Sequence, residues 1–118
     1  MPALLENYWP FLLLVIWFIY KTWKTRRVVG QLPDLMSRGA VLVDVRSPAE
    51  FESGHATGSL NLPLHQLAQR VREIPPSVPV VVGCASGTRS GMAARQLKKL
   101  GFQEVYNIGS WRNFPDQQ

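Results

Sequence analysis

The chain has 118 residues, 46% of them hydrophobic and 18% charged, with nine glycines and nine prolines. That is the size of one compact domain, and the composition excludes a disordered tail, a collagen-like repeat and a coiled coil, while a single cysteine excludes a disulfide framework. The net charge of +5 would suit a nucleic-acid binder, but its clustered part, Lys21, Lys24, Arg26 and Arg27, flanks an apolar run instead of forming a duplex-binding surface, so no nucleic-acid partner is expected.

The first element is that apolar run. Residues 8–20 carry no charge and are apolar on every helical face, unlike an amphipathic surface helix. Residues 3–23 would reach across a hydrocarbon core of about 30 Å, with Tyr8 and Trp9 at one end and Tyr20 and Trp23 at the other placed as interfacial aromatics. Glu6 near the start strains this reading. A cleaved signal peptide is the rival, disfavoured by an acidic leader and by the absence of a small-residue cleavage site. The expectation is one transmembrane helix with a basic juxtamembrane linker over residues 1–29, contacting a lipid bilayer through residues 3–23, followed by a domain over residues 30–118. With the four cations on the C-terminal side, the positive-inside rule puts the N-terminus outside and the domain on the cytoplasmic face of the inner (plasma) membrane.

The remaining elements alternate. Residues 26–30 read as a linker, and Pro33 and Asp34 suit the first turn of a short helix over 31–38 closed by Gly39. Residues 40–45 are apolar without alternation, as in a strand covered on both faces. Ser47, Pro48 and Glu50 read as a cap, a first-turn proline and a capping-box acid, opening a helix that stops at Gly54. A brief strand over 59–62 precedes a helix over 64–74 ended by Pro75 and Pro76. Residues 79–83 are the expected central strand. A helix over 91–100 turns Met92, Ala93, Leu97 and Leu100 inward, and a last strand covers 104–107. The pattern predicts an α/β fold with a mostly parallel central sheet flanked by helices.

The chemistry gathers where the central strand ends, at Cys84-Ala85-Ser86-Gly87-Thr88-Arg89-Ser90. In an open α/β sheet ligands bind at the carboxyl ends of strands, and a loop of small residues turns several N–H groups toward one point. A thiol there, near a helix N-terminus and Arg89, is expected to be a thiolate and hence a nucleophile.

This segment resembles the active-site loop of rhodanese-type sulfurtransferases. Val41 to Arg46, Glu50-Phe51, residues 54–63 and residues 101–111 resemble, in order and spacing, the family's "D-V-R … E-F … G-H-I-x-G-A-x-N-I-P" and "G-F … V … L-x-G-G-x-x-W" motifs. The likeness covers roughly residues 30–114. Ala56 and Ser59 replace the isoleucine and alanine of the middle motif, and Gly109-Ser110 replaces the Gly-Gly of the last.

The resemblance implies a rhodanese-like fold and an enzyme that moves sulfane sulfur, which the N-terminal segment would anchor to the membrane. Thiosulfate or a persulfide would be the donor, a thiol or cyanide the acceptor, and a Cys84 persulfide the intermediate. Ala85, Ser86, Gly87, Thr88, Arg89 and Ser90 would bind substrate. Asp44 is implied as a structural acceptor, while Arg46 would pair with Glu50 or lend charge to the site. His55 reads as a turn-fixing residue and His65 as exposed. No cofactor is expected and no metal, since two histidines and one cysteine lie far apart. Two alternatives remain. One is a sulfur carrier or binding module serving a protein partner. The other is a cysteine phosphatase or arsenate reductase, disfavoured because four residues separate Cys84 from Arg89 where that class keeps five.

Overall fold

A computed structural model describes residues 3–115. Four parallel strands form one sheet in the order β2-β1-β3-β4: β1 (Val41–Asp44), β2 (Leu60–Asn61), β3 (Val80–Cys84) and β4 (Val105–Ser110). The helices are α1 (Ala3–Ser37), α2 (Pro48–Ser53), α3 (Leu67–Arg70, flanked by 3-10 turns) and α4 (Thr88–Lys99). The expected α/β sheet with flanking helices is present, wholly parallel.

Side chains alternate across the sheet, and each face buries its own cluster. Val43, Val80 and Val82 face Leu67 of α3 and Ala93 and Leu97 of α4. Leu42 and Val81 face the other way, toward Val28, Leu32 and Leu35 of α1, with Ile108 and Phe114 completing that layer. Valine and leucine on both faces explain why β1 and β3 read as unbroken apolar runs.

The N-terminal segment departs most from expectation. Residues 26–30 are no linker: α1 runs without interruption through Gly30 and Pro33 to Ser37. Pro33 forfeits one intrahelical bond, and a mid-helix glycine costs about 1 kcal/mol relative to alanine. Against this, Val28, Leu32 and Leu35 lie on one helical face and are all buried, at about 1.5–3 kcal/mol each. Packing therefore overrides the local break signals. From Lys21 onward α1 lies against the domain, while the exposed side chains of residues 6–20 mark a projecting segment.

Among the described residues no helix is long and apolar enough to cross a membrane. This corrects the transmembrane helix expected over residues 3–23. The uncharged apolar run over 8–20 supplies only about 20 Å of helix, short of a hydrocarbon core of about 30 Å, and it is bounded by Glu6 and Asn7 before and Lys21 after.

Smaller corrections follow from packing. The helix expected over 64–74 is broken into a 3-10 turn, α3 and a second 3-10 turn. Helix α4 starts at Thr88, three residues earlier than read, which puts Arg89 in its first turn. Met92 and Leu100, expected inward, are exposed. Strand β4 extends to Ser110, and its register against β3 skips Ile108: Val82 pairs with Asn107, and Gly83 with Gly109. That irregularity brings both Asn107 and Gly109 to the loop after β3.

Candidate functional site

Cys84 ends β3 and is buried beneath the loop that leads into α4. Gly87 makes the sharp return possible. Its φ is +106°, and a Cβ there would stand 3.2 Å from the Gly109 Cα, so only glycine fits. The Gly87 N–H donates to Cys84 Sγ at 2.9 Å, and the Ser90 hydroxyl lies 3.4 Å from the sulfur.

Burial by itself would push the Cys84 thiol up. The hydrogen bonds outweigh it, led by the side chain and N–H of Ser90 and followed by the N–H groups of Gly87 and Ser86, and the thiol is held below its ordinary value. The donors aimed at the sulfur favour its thiolate form.

Asn107, which sequence reading passed over, organises these donors. Its Oδ1 accepts from the Ser90 hydroxyl at 2.6 Å and from the Gly109 N–H at 2.9 Å, while its amide donates to the Gly87 carbonyl at 3.2 Å. The Ser90 hydroxyl has one proton for two acceptors. With a protonated Cys84, the S–H can donate to Ser90 and Ser90 to Asn107. With a thiolate, Ser90 can turn its proton to sulfur while the Gly109 N–H still satisfies Asn107. The signal available in the sequence was an asparagine inside a strand, where that residue is depleted.

Arg89 is placed differently from the expected cradle. Its guanidinium makes a two-pronged pair with Glu50, Nη1 to Oε1 at 2.6 Å and Nη2 to Oε2 at 3.0 Å. Arg89 and the Ser47 cap together hold the Glu50 carboxyl at about 2. Glu50 in turn raises Arg89, and a Cys84 charge adds to this, so the two groups remain within electrostatic reach. The pairing of Glu50 with Arg89, 39 residues apart, also escaped sequence reading.

Asp44 and Arg46 form a separate buried unit. Arg46 Nη2 meets Asp44 Oδ2 at 2.8 Å and the Gly54 carbonyl at 2.7 Å, and its guanidinium sits 4.4 Å from the Trp111 ring centre. It touches the Glu50 backbone carbonyl, not the carboxylate, so the pairing suggested from sequence is replaced by Asp44. Asn61 completes the unit by donating to the carbonyls of Asp44 and Arg46.

The remaining candidates are peripheral. Ala85, Ser86 and Thr88 are exposed on the loop. His55 meets the Phe51 carbonyl through Nδ1 at 2.7 Å and stacks on the Phe51 ring. His65 is exposed and, with Val45, Ser47, Leu64 and Arg89, lines a depression of about 370 Å³ beside the loop. Among the described residues no group of three or more metal-ligating side chains converges. The unusual Ser110 is readily accommodated: Gly109 takes the positive φ of +82°, whereas Ser110 sits at −71° and caps the following turn through the Arg112 N–H.

Comparison with known proteins is consistent with this geometry. The family model described as "Rhodanese-like domain" matches residues 28–116. The chain is 40% identical over 92 residues to the thiosulfate sulfurtransferase GlpE of Pseudomonas syringae, covering 75% of this chain and 87% of that one. It is 51% identical over 71 residues to the Bacillus subtilis protein YqhL, described as uncharacterized, covering 60% of this chain and only 56% of that relative. Among solved structures, a rhodanese with anions from E. coli superimposes with a TM-score of 0.61 at 28% identity, over 67% of this chain and 95% of that one.

Proposed function

Because the chain belongs to the rhodanese-like family and its relatives include sulfurtransferases, we propose that it transfers sulfane sulfur through a persulfide on Cys84. The observation that carries this reading is the sulfur of Cys84, held under a loop whose N–H groups and Ser90 hydroxyl favour the thiolate. The Cys84 thiolate attacks the outer sulfur of thiosulfate, and the S–S bond breaks with its electron pair leaving on sulfite. The outer sulfur remains on Cys84 as a persulfide, which the same N–H groups stabilise as its charge develops. An acceptor thiolate or cyanide then attacks that sulfur, and the electron pair returns to Sγ. No general base is needed when both nucleophiles are already ionised.

The test is the intact mass after thiosulfate treatment. A gain of one sulfur atom, reversed by reductant and absent in Cys84→Ser, is the expected result. Turnover of thiosulfate with cyanide by Cys84→Ser at the parent rate would refute the reading, since a serine hydroxyl at this site stays protonated.

The apolar side chains over residues 8–20, exposed on every face, would enter the lipid boundary, and Lys21, Lys24, Arg26 and Arg27 behind them would meet anionic headgroups on the cytoplasmic side, where Cys84 would meet reducing thiols. Co-flotation with anionic vesicles, weakened by Ile16→Lys, is expected. Equal recovery of parent and variant with neutral and anionic vesicles would refute it. Labelling of Cys84 by an impermeant maleimide only after cell lysis is the outcome expected for the cytoplasmic side.

A further inference from the structure

A second cleft, of about 640 Å³, opens between α1 and the sulfur loop, and its lining includes Trp17, Phe18, Lys21, Arg26, Ser86 and Ser110. Among the described residues no carboxylate lines it. The loop joins this cleft to the reacting sulfur: Ser86 forms part of the wall, and the N–H of the next residue, Gly87, donates to Cys84 Sγ at 2.9 Å. Lys21 is packed directly on the loop. A Cβ at Gly87 would lie 3.6 Å from Lys21 Cε and 3.9 Å from Nζ, and the ammonium stands 4.9 Å from the centre of the Trp17 ring. A cation packed on the loop, a second cation and two aromatic rings therefore share one opening beside the loop that covers the nucleophile. A small inorganic donor has no use for the aromatic half. An organic thiol carrying an anionic group would use both.

We infer that this cleft is the acceptor site and that it selects an organic thiol bearing an anionic group on an apolar, aromatic body. The inference rests on the persulfide reading above. The acceptor enters as a thiolate, its proton already lost to solvent, and attacks the outer sulfur of the Cys84 persulfide. The Cys84 S–S bond breaks, its electron pair returns to Sγ, and the acceptor leaves as an organic persulfide carrying any proton the enzyme persulfide held. Sulfur, charge and electrons balance with no further oxidant or reductant. Lys21 and Arg26 hold the anionic group, and Trp17 and Phe18 cover the ring.

The test uses the full chain with thiosulfate as donor and two acceptor probes, para-mercaptobenzoate and mercaptoethanol, compared at equal thiolate concentration. The readout is the ratio of their kcat/KM values. The parent should prefer para-mercaptobenzoate by at least about tenfold. Lys21→Glu should lower that preference about tenfold or more, through KM, because attraction becomes repulsion. Trp17→Ala should lower it several-fold by removing the ring contact. Lys21→Gln, which keeps length and polarity, should move the ratio in the same direction by less, and it replaces Lys21→Glu if charge reversal loosens the loop. Arg95→Ala, an exposed cation on α4 outside the cleft, should leave the ratio where it was. Absence of sulfur gain on Cys84 in the parent would overturn the persulfide reading itself. Sulfur gain together with a ratio unmoved by Lys21 and Trp17 variants would overturn the cleft alone.

Discussion

Removing the Ser90 hydroxyl isolates the contribution of one side chain to the nucleophile. Ser90 is fully buried and stands 3.4 Å from Cys84 Sγ, and it is the leading hydrogen-bond contributor to the lowered thiol. In Ser90→Ala the N–H groups of Ser86, Gly87 and residue 90 remain, so the thiolate loses one of several donors. A hydrogen bond of this kind is worth about 1 kcal/mol, because sulfur's weak acceptance keeps it below the usual range of charge-assisted bonds. The ionisation constant of the thiol should therefore fall about fivefold, at about 1.4 kcal/mol per factor of ten. The assay is the pH dependence of iodoacetamide alkylation, which reports a single site because Cys84 is the only thiol. Alkylation follows the thiolate, so the parent curve rises below the pH of an ordinary thiol, and the Ser90→Ala curve should rise at higher pH. Asn107 keeps the Gly109 N–H in this variant, so its Oδ1 is not orphaned and the loop should hold its shape. Thr88→Ala, an exposed hydroxyl on the same loop, should leave the curve in place. Coincident parent and Ser90→Ala curves would refute the reasoning and assign the stabilisation to the backbone alone.

Three further substitutions probe the surroundings. Gly87→Ala should destabilise the protein by about 1–2 kcal/mol from the left-handed backbone alone, with more from contact with Gly109, seen as a melting temperature lower by about 10 °C; an unchanged melt would mean the loop rearranges freely. Glu50→Gln should free Arg89 and lower the KM for thiosulfate a few-fold, and unchanged or weaker donor binding would show that Arg89 serves only to tie α4 to α2. The Glu50 carboxyl is held at about 2 against an ordinary 4.5, so its stabilisation is present above 4.5 and is lost as pH falls toward 2. The stability gap between parent and Glu50→Gln should accordingly close across that range in acid titrations of unfolding. Leu35→Ala should cost about 2–5 kcal/mol, measured by urea unfolding, because Leu35 is almost wholly buried between α1 and the sheet.

The sulfur loop was legible in the sequence because its chemistry is local. Cys84, the small residues after it and the strand before it are contiguous, and the Ser47 to Glu50 capping box was readable for the same reason. What escaped reading depends on contacts across the fold. Asn107 reaches the loop through the skipped register at Ile108, which no local pattern encodes. Glu50 is diverted from Arg46 to Arg89 because Asp44 already occupies Arg46 from two residues away. Gly30 and Pro33 signal a helix break, yet the stripe of Val28, Leu32 and Leu35 has a sheet to pack on and the helix continues.

That continuity ties the outer segment to the chemistry. A flexible linker at residues 26–30 would let the projecting segment swing independently of the sulfur loop, as the sequence suggests. In the continuous helix, Lys21 beside Gly87 and Leu35 beneath the sheet are joined by a hydrogen-bonded rod about 21 Å long, at about 1.5 Å per residue. Thr25 braces it one turn in from Lys21, its Oγ1 lying 3.5 Å from where a Cβ on Gly109 would be, and Gly109 holds Asn107 in turn. Whatever surface the apolar residues 8–20 contact therefore fixes the direction in which the acceptor cleft opens. The residues that line the cleft from α1 lie where the helix leaves the domain, so docking of the projecting segment and access to Cys84 share the same few side chains.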